Sequence, residues 1–307
     1  MSLRITQSIM MQHTMRDVNA NLKRIQDLQR NLSTGKDINK LSDDPIGVLR
    51  AVDIHANISQ IGQHKTNIED GKSRLSSTMR SLETVDQLLL DAQLLASDAV
   101  NDFSSASRPV IANEIDAILN QVLIAANSKF MGKYLFGGHE SLTPPFTAQY
   151  DANGVITGVI RNVKGIDDLI QHTTAEGSNV PVNISGSAPF MPNGEGNTDD
   201  VFDSLIRMRD AIRNNNMGAA GNTILEVRAG MDNVLQQTSV AGERVVQMNK
   251  FNAQNDVKNA DGLENLSHII DTDFAKAISE LNYQNFILQS SLQVGAKILS
   301  PTLLDFI

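Results

Sequence analysis

The sequence lacks cysteine and tryptophan, and it is poor in aromatic residues of every kind. Its 307 residues include 10 Phe and 3 Tyr. Without cysteine the chain can form no disulfide, no thiolate nucleophile and no Cys-ligated zinc or iron–sulfur centre. These absences exclude several classes of enzyme and the small disulfide-stabilised domains.

Basic residues and long apolar runs are also scarce. The 26 Lys and Arg face 35 Asp and Glu, which leaves a formal net charge of −9. Binding to a phosphate backbone depends on clustered Lys and Arg, so we expect no nucleic-acid partner. No apolar run approaches the roughly 18 residues that cross a bilayer, and residues 1–17 lack the apolar core and cleavage site of a signal peptide. We therefore expect no membrane partner, no transmembrane segment and no Sec-type precursor.

The polar residues form no recognisable catalytic or metal-binding group. Asp43-Asp44 and Asp199-Asp200 each precede a predicted helix, where carboxylates accept hydrogen bonds from free N–H groups. We predict no enzyme activity, no catalytic residue, no metal site and no cofactor. Six scattered histidines show no pair at metal-ligand spacing on one helix face: His13, His55, His64, His139, His172 and His268.

Aromatic residues and helix breakers are concentrated in one central stretch. No aromatic residue occurs before Phe103, whereas five of the eight prolines lie between Pro144 and Pro192. Ala, Leu, Gln and Asn dominate both flanks. This distribution predicts a small β-rich insert between two helical arms. Within the insert, Asn153-Gly154 indicates a hairpin turn, and the alternating segment of residues 180–186, which includes Pro181, indicates an edge strand.

The arms carry apolar residues at alternating steps of four and three, the repeat of a coiled coil. We call the two end stretches the N-terminal and C-terminal seams and interpret them as assembly surfaces. The N-terminal seam consists of Met11, Met15, Val18, Leu22, Ile25 and Leu32. The C-terminal seam consists of Ile270, Phe274, Ala277, Leu281, Leu288 and Ile298. Polar or small residues interrupt both seams, at Gln29, Gln284, Ser291 and Gly295, so we expect the end segments to order fully only on a partner.

The inner parts of the arms predict further helices. Asp44 suits the N-cap and Pro45 the first turn of a long helix to about Val100, and a second helix starts at Arg108-Pro109. On the return arm a helix starts at Val201, and Asp261-Gly262 indicates a break before the last helical run. Along the long helix the predicted stripe is Ile54, Ile58, Ile61, Lys65, Ile68, Lys72, Leu75, Met79, Leu82, Asp86 and Leu89.

Together these patterns predict a mainly α protein, an elongated out-and-back helical rod with a small inserted β domain. The terminal coiled coil comprises residues 1–43 and 263–307. A helical bundle comprises residues 44–136 and 200–262, and the insert comprises residues 137–199.

Four segments resemble the bacterial flagellin superfamily. They are Leu3-Arg-Ile-Thr6, the stretch from Leu32 to Ile46, Gly132-Lys-Tyr-Leu-Phe-Gly-Gly138, and Asp271 to Leu281. Flagellins themselves resemble this chain less at two points, because they typically open through Ile-Asn-Thr-Asn and have Lys-Asp-Asp-Ala-Ala-Gly where this chain has Ser42-Asp-Asp-Pro-Ile-Gly47. The Pro45 variant and the short insert favour a subunit of the junction between hook and filament.

The resemblance implies a structural role outside the cell. The terminal coiled coil would line an inner tube, the bundle would surround it, and the insert would face outward. The implied partners are other copies of this chain in a ring, a neighbouring hook-associated protein, flagellin and a flagellar export chaperone. Export through the flagellar type III channel, without a cleaved signal peptide, is implied as well. The alternatives are flagellin itself and, more distantly, another secreted coiled-coil protein or an enzyme with its site in the insert.

Overall fold

The computed structural model describes residues 7–101 and 106–299, and side chains within residues 9–101 and 106–296. Long helices dominate this part of the chain, and the strands are short, so the prediction of a mainly α fold with a small β region is confirmed. The helices are α1 (Gln7–Thr34), α2 (Pro45–Asn101), α3 (Arg108–Ala126), α4 (Val201–Arg213), α5 (Met217–Ile270) and α6 (Phe274–Leu299). The strands are β1 (Lys129–Phe130), β2 (Lys133–Tyr134), β3 (Phe146–Tyr150), β4 (Ile156–Arg161), β5 (Gln171–Ala175) and β6 (Ser178–Pro181).

The chain forms two compact units. One combines residues up to Gln60 with those from Lys258 onward, and the other comprises Ile61–Val257. We call them the terminal unit and the central unit. The large hydrophobic core runs from Ile68 to Met248 and thus lies entirely within the central unit.

Helix ends follow the capping residues of the sequence. At the start of α2, the N–H of Ile46 donates to Oδ1 of Asp44 over 3.1 Å. After α1, Gly35 has a φ of +72°, the left-handed conformation that glycine supplies at helix C-termini. At the start of α6, the N–H of Lys276 donates to Oδ1 of Asp273 over 3.1 Å.

The predicted break at Asp261-Gly262 is wrong, because α5 continues through both residues to Ile270. The glycine serves close helix packing at this point. A Cβ at Gly262 would lie 3.1 Å from Cγ1 of Ile58 on α2, so the missing side chain makes room for that isoleucine. The chain breaks instead at residues 271–273.

The predicted apolar stripe on α2 is correct at half of its inner positions. Ile68, Leu75, Leu82 and Leu89 are completely buried. The intervening positions are shifted by one residue, because the structure buries His64, Gly71, Thr78 and Val85 where the pattern predicts Lys65, Lys72, Met79 and Asp86. A Cβ at Gly71 would lie 2.7 Å from Cε of Met248, so this glycine admits a large side chain of α5.

The strands form three separate two-stranded antiparallel sheets. The predicted hairpin at Asn153-Gly154 is confirmed, since it joins β3 to β4 and Oδ1 of Asp151 accepts hydrogen bonds from the N–H groups of Asn153 and Val155. The edge strand predicted over residues 180–186 is mostly wrong, because β6 ends at Pro181, where it pairs with β5, and residues 182–186 form no strand.

Aromatic residues of the insert join α4 in one cluster. The ring of Phe190 lies 5.1 Å from those of Phe136 and Phe146 and 5.7 Å from that of Phe202, measured between centroids. Edge-to-face pairs at such distances add roughly 0.5–1.5 kcal/mol each to the stabilisation from area burial.

Alone among the described helices, α3 is long and apolar enough to span a membrane by length and composition. Its residues Leu119 and Val122 are completely buried in the same core.

Asp200 caps α4 from a buried position. Its Oδ1 accepts from the N–H groups of Phe202 and Asp203 over 2.9 and 3.1 Å, and its Oδ2 accepts from that of Gly196 over 2.9 Å. Burial raises the pKa of this carboxyl to about 6, against the opposing effect of these hydrogen bonds. The folded protein therefore holds the proton more tightly than the unfolded chain, where the pKa is 3.8.

This difference predicts a specific pH dependence of stability. Because the folded pKa is raised, the stabilisation by the protonated carboxyl is complete below pH 4 and is lost as the pH rises through 6. A shift of this size corresponds to at most about 3 kcal/mol. We expect the free energy of unfolding of the wild type, relative to Asp200→Asn, to fall by about 1–3 kcal/mol between pH 4 and pH 7 in urea titrations. Parallel pH profiles for the two proteins would contradict this assignment.

Candidate functional site: the assembly surfaces

Helices α1 and α6 pack against each other in antiparallel orientation. Near one end a Cβ at Gly295 would lie 3.4 Å from Cγ2 of Thr14. In the middle, Nδ2 of Asn21 donates to the main-chain oxygen of Gln284 over 3.0 Å. Along the contact, residue numbers increase on α1 and decrease on α6, so the two helices run in opposite directions. The small residue Gly295 therefore lets α6 approach α1 closely, near the beginning of the N-terminal seam and the end of the C-terminal seam.

The seam residues divide into three groups by exposure. Ile25 and Ala277 are buried, each 6% exposed. Met15, Leu22 and Phe274 are 57%, 40% and 52% exposed. The half-buried members are Met11, Val18, Leu32, Ile270, Leu281 and Leu288. The side chain of Ile298 lies outside the described residues. The seams thus meet each other along part of their surface and present the rest to solvent.

Helix α6 also carries a second apolar face. Tyr283 and Phe286 are 59% and 66% exposed, and Val294 is 56% exposed. Large aromatic side chains are costly to leave in water, and exposed apolar patches on soluble proteins mark sites of interaction. The sequence pattern identified the inner face of α6 and missed this outer one, because its members do not continue the four-three repeat.

Buried polar groups weaken the contact between α1 and α6. Asn21 and Gln284 are both about 5% exposed. Their side-chain oxygens, Oδ1 and Oε1, have no hydrogen-bond partner among the described residues. Each unsatisfied buried acceptor costs about 1–3 kcal/mol. The sequence indicated Gln284 as a polar position in the seam, whereas Asn21 gave no signal because it lies outside the apolar repeat.

The loop after α1 is tied to the chain break before α6. The N–H of Asp37 donates to the main-chain oxygen of Ile270 over 2.7 Å, and that of Thr272 donates to the oxygen of Gly35 over 2.9 Å. Oγ1 of Thr272 also donates to Oδ1 of Asp37 over 2.9 Å. Both connections between end helices and inner helices are therefore held together within the terminal unit.

Nothing in the described part of the chain groups three or more His, Asp or Glu side chains in a way that could hold a metal ion. The chemistry of these surfaces is that of packing: apolar side chains, small residues and amides on helix faces. Such faces can bind other helices.

Comparison with known proteins shows which proteins this chain resembles. Residues 5–141 match the model of the bacterial flagellin N-terminal helical region. Among solved structures, a putative flagellar hook-associated protein from Vibrio parahaemolyticus has a TM-score of 0.66 at 18% identity, covering 75% of this chain and 100% of that one. Flagellar hook associated protein-3 from Legionella pneumophila has a TM-score of 0.59 at 16% identity, covering 70% of this chain and 98% of that one. These structures share the fold, and the resemblance to the flagellin superfamily is confirmed.

Curated relatives then distinguish between members of that superfamily. Flagellar hook-associated protein 3 of Escherichia coli (strain K12) is 24% identical over 306 residues, which cover 94% of this chain and 95% of that protein. The same protein of Salmonella typhimurium is 23% identical over 314 residues, with the same coverage. A flagellin of Clostridium tyrobutyricum is 22% identical over only 59% of this chain and 44% of that protein. The match to hook-associated protein 3 therefore spans nearly the whole length, and the match to flagellin does not.

Proposed function

We propose that this chain is a structural subunit of the bacterial flagellum, which forms the junction between the hook-associated zone and the filament by flagellin-like polymerisation. One structural observation carries the proposal. The helices α1 and α6 leave large apolar side chains exposed on both their seams and the outer face of α6, including Phe274 and Phe286. The full-length similarity to two proteins named hook-associated protein 3 supports it.

In the proposed assembly, the terminal helices of many copies pack side by side. Residues 1–43 and 263–307 line the inner tube, residues 44–136 and 200–262 surround it, and residues 137–199 face outward. Exposed seam residues such as Met15 and Leu22 are buried by neighbouring copies. Burial of apolar surface contributes about 25 cal/mol per Å², so each copy stabilises the end helices of the next.

The neighbours of the ring are a hook-associated protein on one side and flagellin on the other. Before assembly the chain leaves the cell through the flagellar type III channel without a cleaved signal peptide, and an export chaperone covers its C-terminal amphipathic helix. The working location is the extracellular part of the flagellum. The absence of cysteine suits such a route, because an unfolded chain without thiols cannot become cross-linked. Packing of helices needs no catalytic residue and no cofactor.

A polymerisation assay separates this role from that of flagellin, the second candidate, with which the chain shares its N-terminal helical region. Purified protein is added to fragments of flagella that serve as seeds. A junction subunit is expected to bind to the seed ends as a short layer and then stop. Growth into long filaments would favour flagellin and contradict the junction role.

A further inference from the structure

The turn between β1 and β2 holds a methionine in an unusual conformation. Met131 and Gly132 form a two-residue hairpin loop with φ of +49° and +79°. Both positions of such loops favour Gly or Asn, and a large apolar side chain is strained at positive φ. Met131 is also 83% exposed. A strained and exposed apolar residue at a hairpin tip points to a role that its own hairpin does not explain.

Positive charges lie on both sides of this methionine in the hairpin. Lys129 and Lys133 flank the turn and are exposed, and Arg80 of α2 lines one surface groove together with Lys129. Nζ of Lys129 lies 4.4 Å from the centre of the Tyr134 ring. Within the described ranges 7–101 and 106–299, these three cations form no salt bridge with a carboxylate. We call Met131, Lys129 and Lys133 the Met131 knob.

An exposed stretch further along α2 has the complementary character. Leu90 and Leu94 are 38% and 57% exposed and alternate with carboxylates at helical spacing. Residues 81–107 contain no Lys or Arg. The carboxylates make no ion pair to any residue that the structure describes. We call this set the acidic leucine stripe, and it consists of Leu90, Asp91, Leu94 and Asp98.

The knob and the stripe are different surfaces of the same chain. The groove that Lys129 lines extends along α2 from Ser77 to Leu88, and Asp98 lies ten residues beyond Leu88, which corresponds to about 15 Å along the helix axis. Both surfaces pair an apolar centre with charge, and the charges are opposite in sign. Two different complementary patches on one molecule produce a head-to-tail contact, which repeats from copy to copy into a ring or a helix.

We infer that the Met131 knob of one copy docks on the acidic leucine stripe of the next copy. This inference rests on the proposed function, because it names a surface through which the copies of the assembly touch. The methionine inserts between Leu90 and Leu94, and the lysines face Asp91 and Asp98. A second copy is the preferred occupant because the same chain provides both the charge and its complement.

A single substitution separates docking from folding. Asn is favoured at positive φ, so Met131→Asn keeps or stabilises the hairpin while removing the apolar tip. We expect Met131→Asn to weaken association of copies at least about tenfold, as for a central interface residue, without lowering the melting temperature. Val163→Asn is the matched control, because Val163 is also apolar and 73% exposed but lies outside the knob. Unchanged association of Met131→Asn would overturn the inference.

Cross-linking tests the contact directly, since the chain has no native cysteine. During assembly on flagellar seeds, the variant Met131→Cys/Leu94→Cys is expected to give a ladder of covalent multimers with a short bis-maleimide. The variant Val163→Cys/Leu94→Cys is expected to remain monomeric under the same conditions. No ladder from the first pair, or equal ladders from both, would contradict the docking.

Charge reversal in cells distinguishes failure of the inference from failure of the proposed function. In a strain lacking this protein, Lys129→Glu/Lys133→Glu and Asp91→Lys/Asp98→Lys are each expected to reduce filament-bearing cells at least about tenfold, and their combination to restore them. If wild-type protein does not restore filaments, the proposed function fails. If wild-type protein and both charge reversals restore filaments equally, the junction role stands and only the knob-to-stripe contact is refuted.

Discussion

Deletion of residues 1–40 is expected to abolish incorporation into flagella while the central unit stays folded. The deletion removes α1 and with it the partner of α6 in the terminal unit. The hydrophobic core that runs from Ile68 to Met248 loses no member. Folding of the central unit and assembly into flagella depend on different parts of the chain. We therefore expect the central unit to fold even when assembly is lost.

Two measurements on the deleted protein check this expectation. The thermal transition of the central unit should stay within about 2 °C of the wild type, no more than the shift caused by a loss of 1 kcal/mol in a domain of that size. Flagella isolated from cells that express only the deleted chain should contain none of it. Incorporation at wild-type levels would refute the role given to the terminal helices.

A pair of point substitutions in α1 tests the same role of the terminal helices at single residues. Ile25 is 6% exposed, whereas its neighbour Gln26 is exposed. Ile25→Asp places a charge in the buried contact of the terminal unit, and Gln26→Asp adds the same charge at the surface. We expect the first to block incorporation and the second to leave it intact.

Replacement of Arg209 by methionine is expected to destabilise the central unit by about 1.5–3 kcal/mol, the usual contribution of a hydrogen bond to a charged group. Arg209 is 2% exposed. Its Nη1 donates to Oδ1 of Asp116 over 2.6 Å and to the main-chain oxygen of Ile156 over 2.8 Å, and its Nε donates to Oδ1 of Asp210 over 2.8 Å. Burial alone would lower the pKa of this guanidinium, but the hydrogen bonds to Asp210 and Asp116 outweigh burial and raise it. One side chain thus joins α3, α4 and β4.

The matched control lies one turn further along the same helix. Arg213 is exposed, and its Nη2 reaches Oδ1 of Asn113 over 3.3 Å. Arg213→Met should therefore change the free energy of unfolding by no more than about 0.5 kcal/mol, as exposed substitutions usually do. Urea unfolding of both variants and the wild type measures the difference. Equal effects of the two substitutions would show that the buried network does not stabilise the fold.

Much of this fold could be predicted from local signals. The start of α2 at Pro45 and that of α4 at Val201 follow from residues that satisfy free N–H groups or set φ in advance. The β3–β4 hairpin follows from an Asn-Gly pair that accepts positive φ. In each case the determining residues lie within a few positions of the feature they determine.

Features that depend on which helix or strand packs against a residue could not be predicted from the sequence. A glycine is ambiguous in sequence, and at Gly262 it makes room for Ile58 within a continuous helix. The burial of His64 and Thr78 on α2 is set by facing residues, so the four-three spacing alone placed alternate positions of the α2 stripe one residue too far along. The network around Arg209 joins residues up to 93 positions apart, and the strain at Met131 exists only in the folded hairpin. The seams remain predictions as assembly surfaces.

Electron microscopy of flagella from cells lacking this protein tests the central claim most directly. The proposed junction role predicts complete hooks without filaments, flagellin released into the medium, and filaments restored by the wild-type gene in trans. Because only the junction is missing, the hook should keep its normal length. Normal hooks bearing normal filaments in such cells would contradict the account.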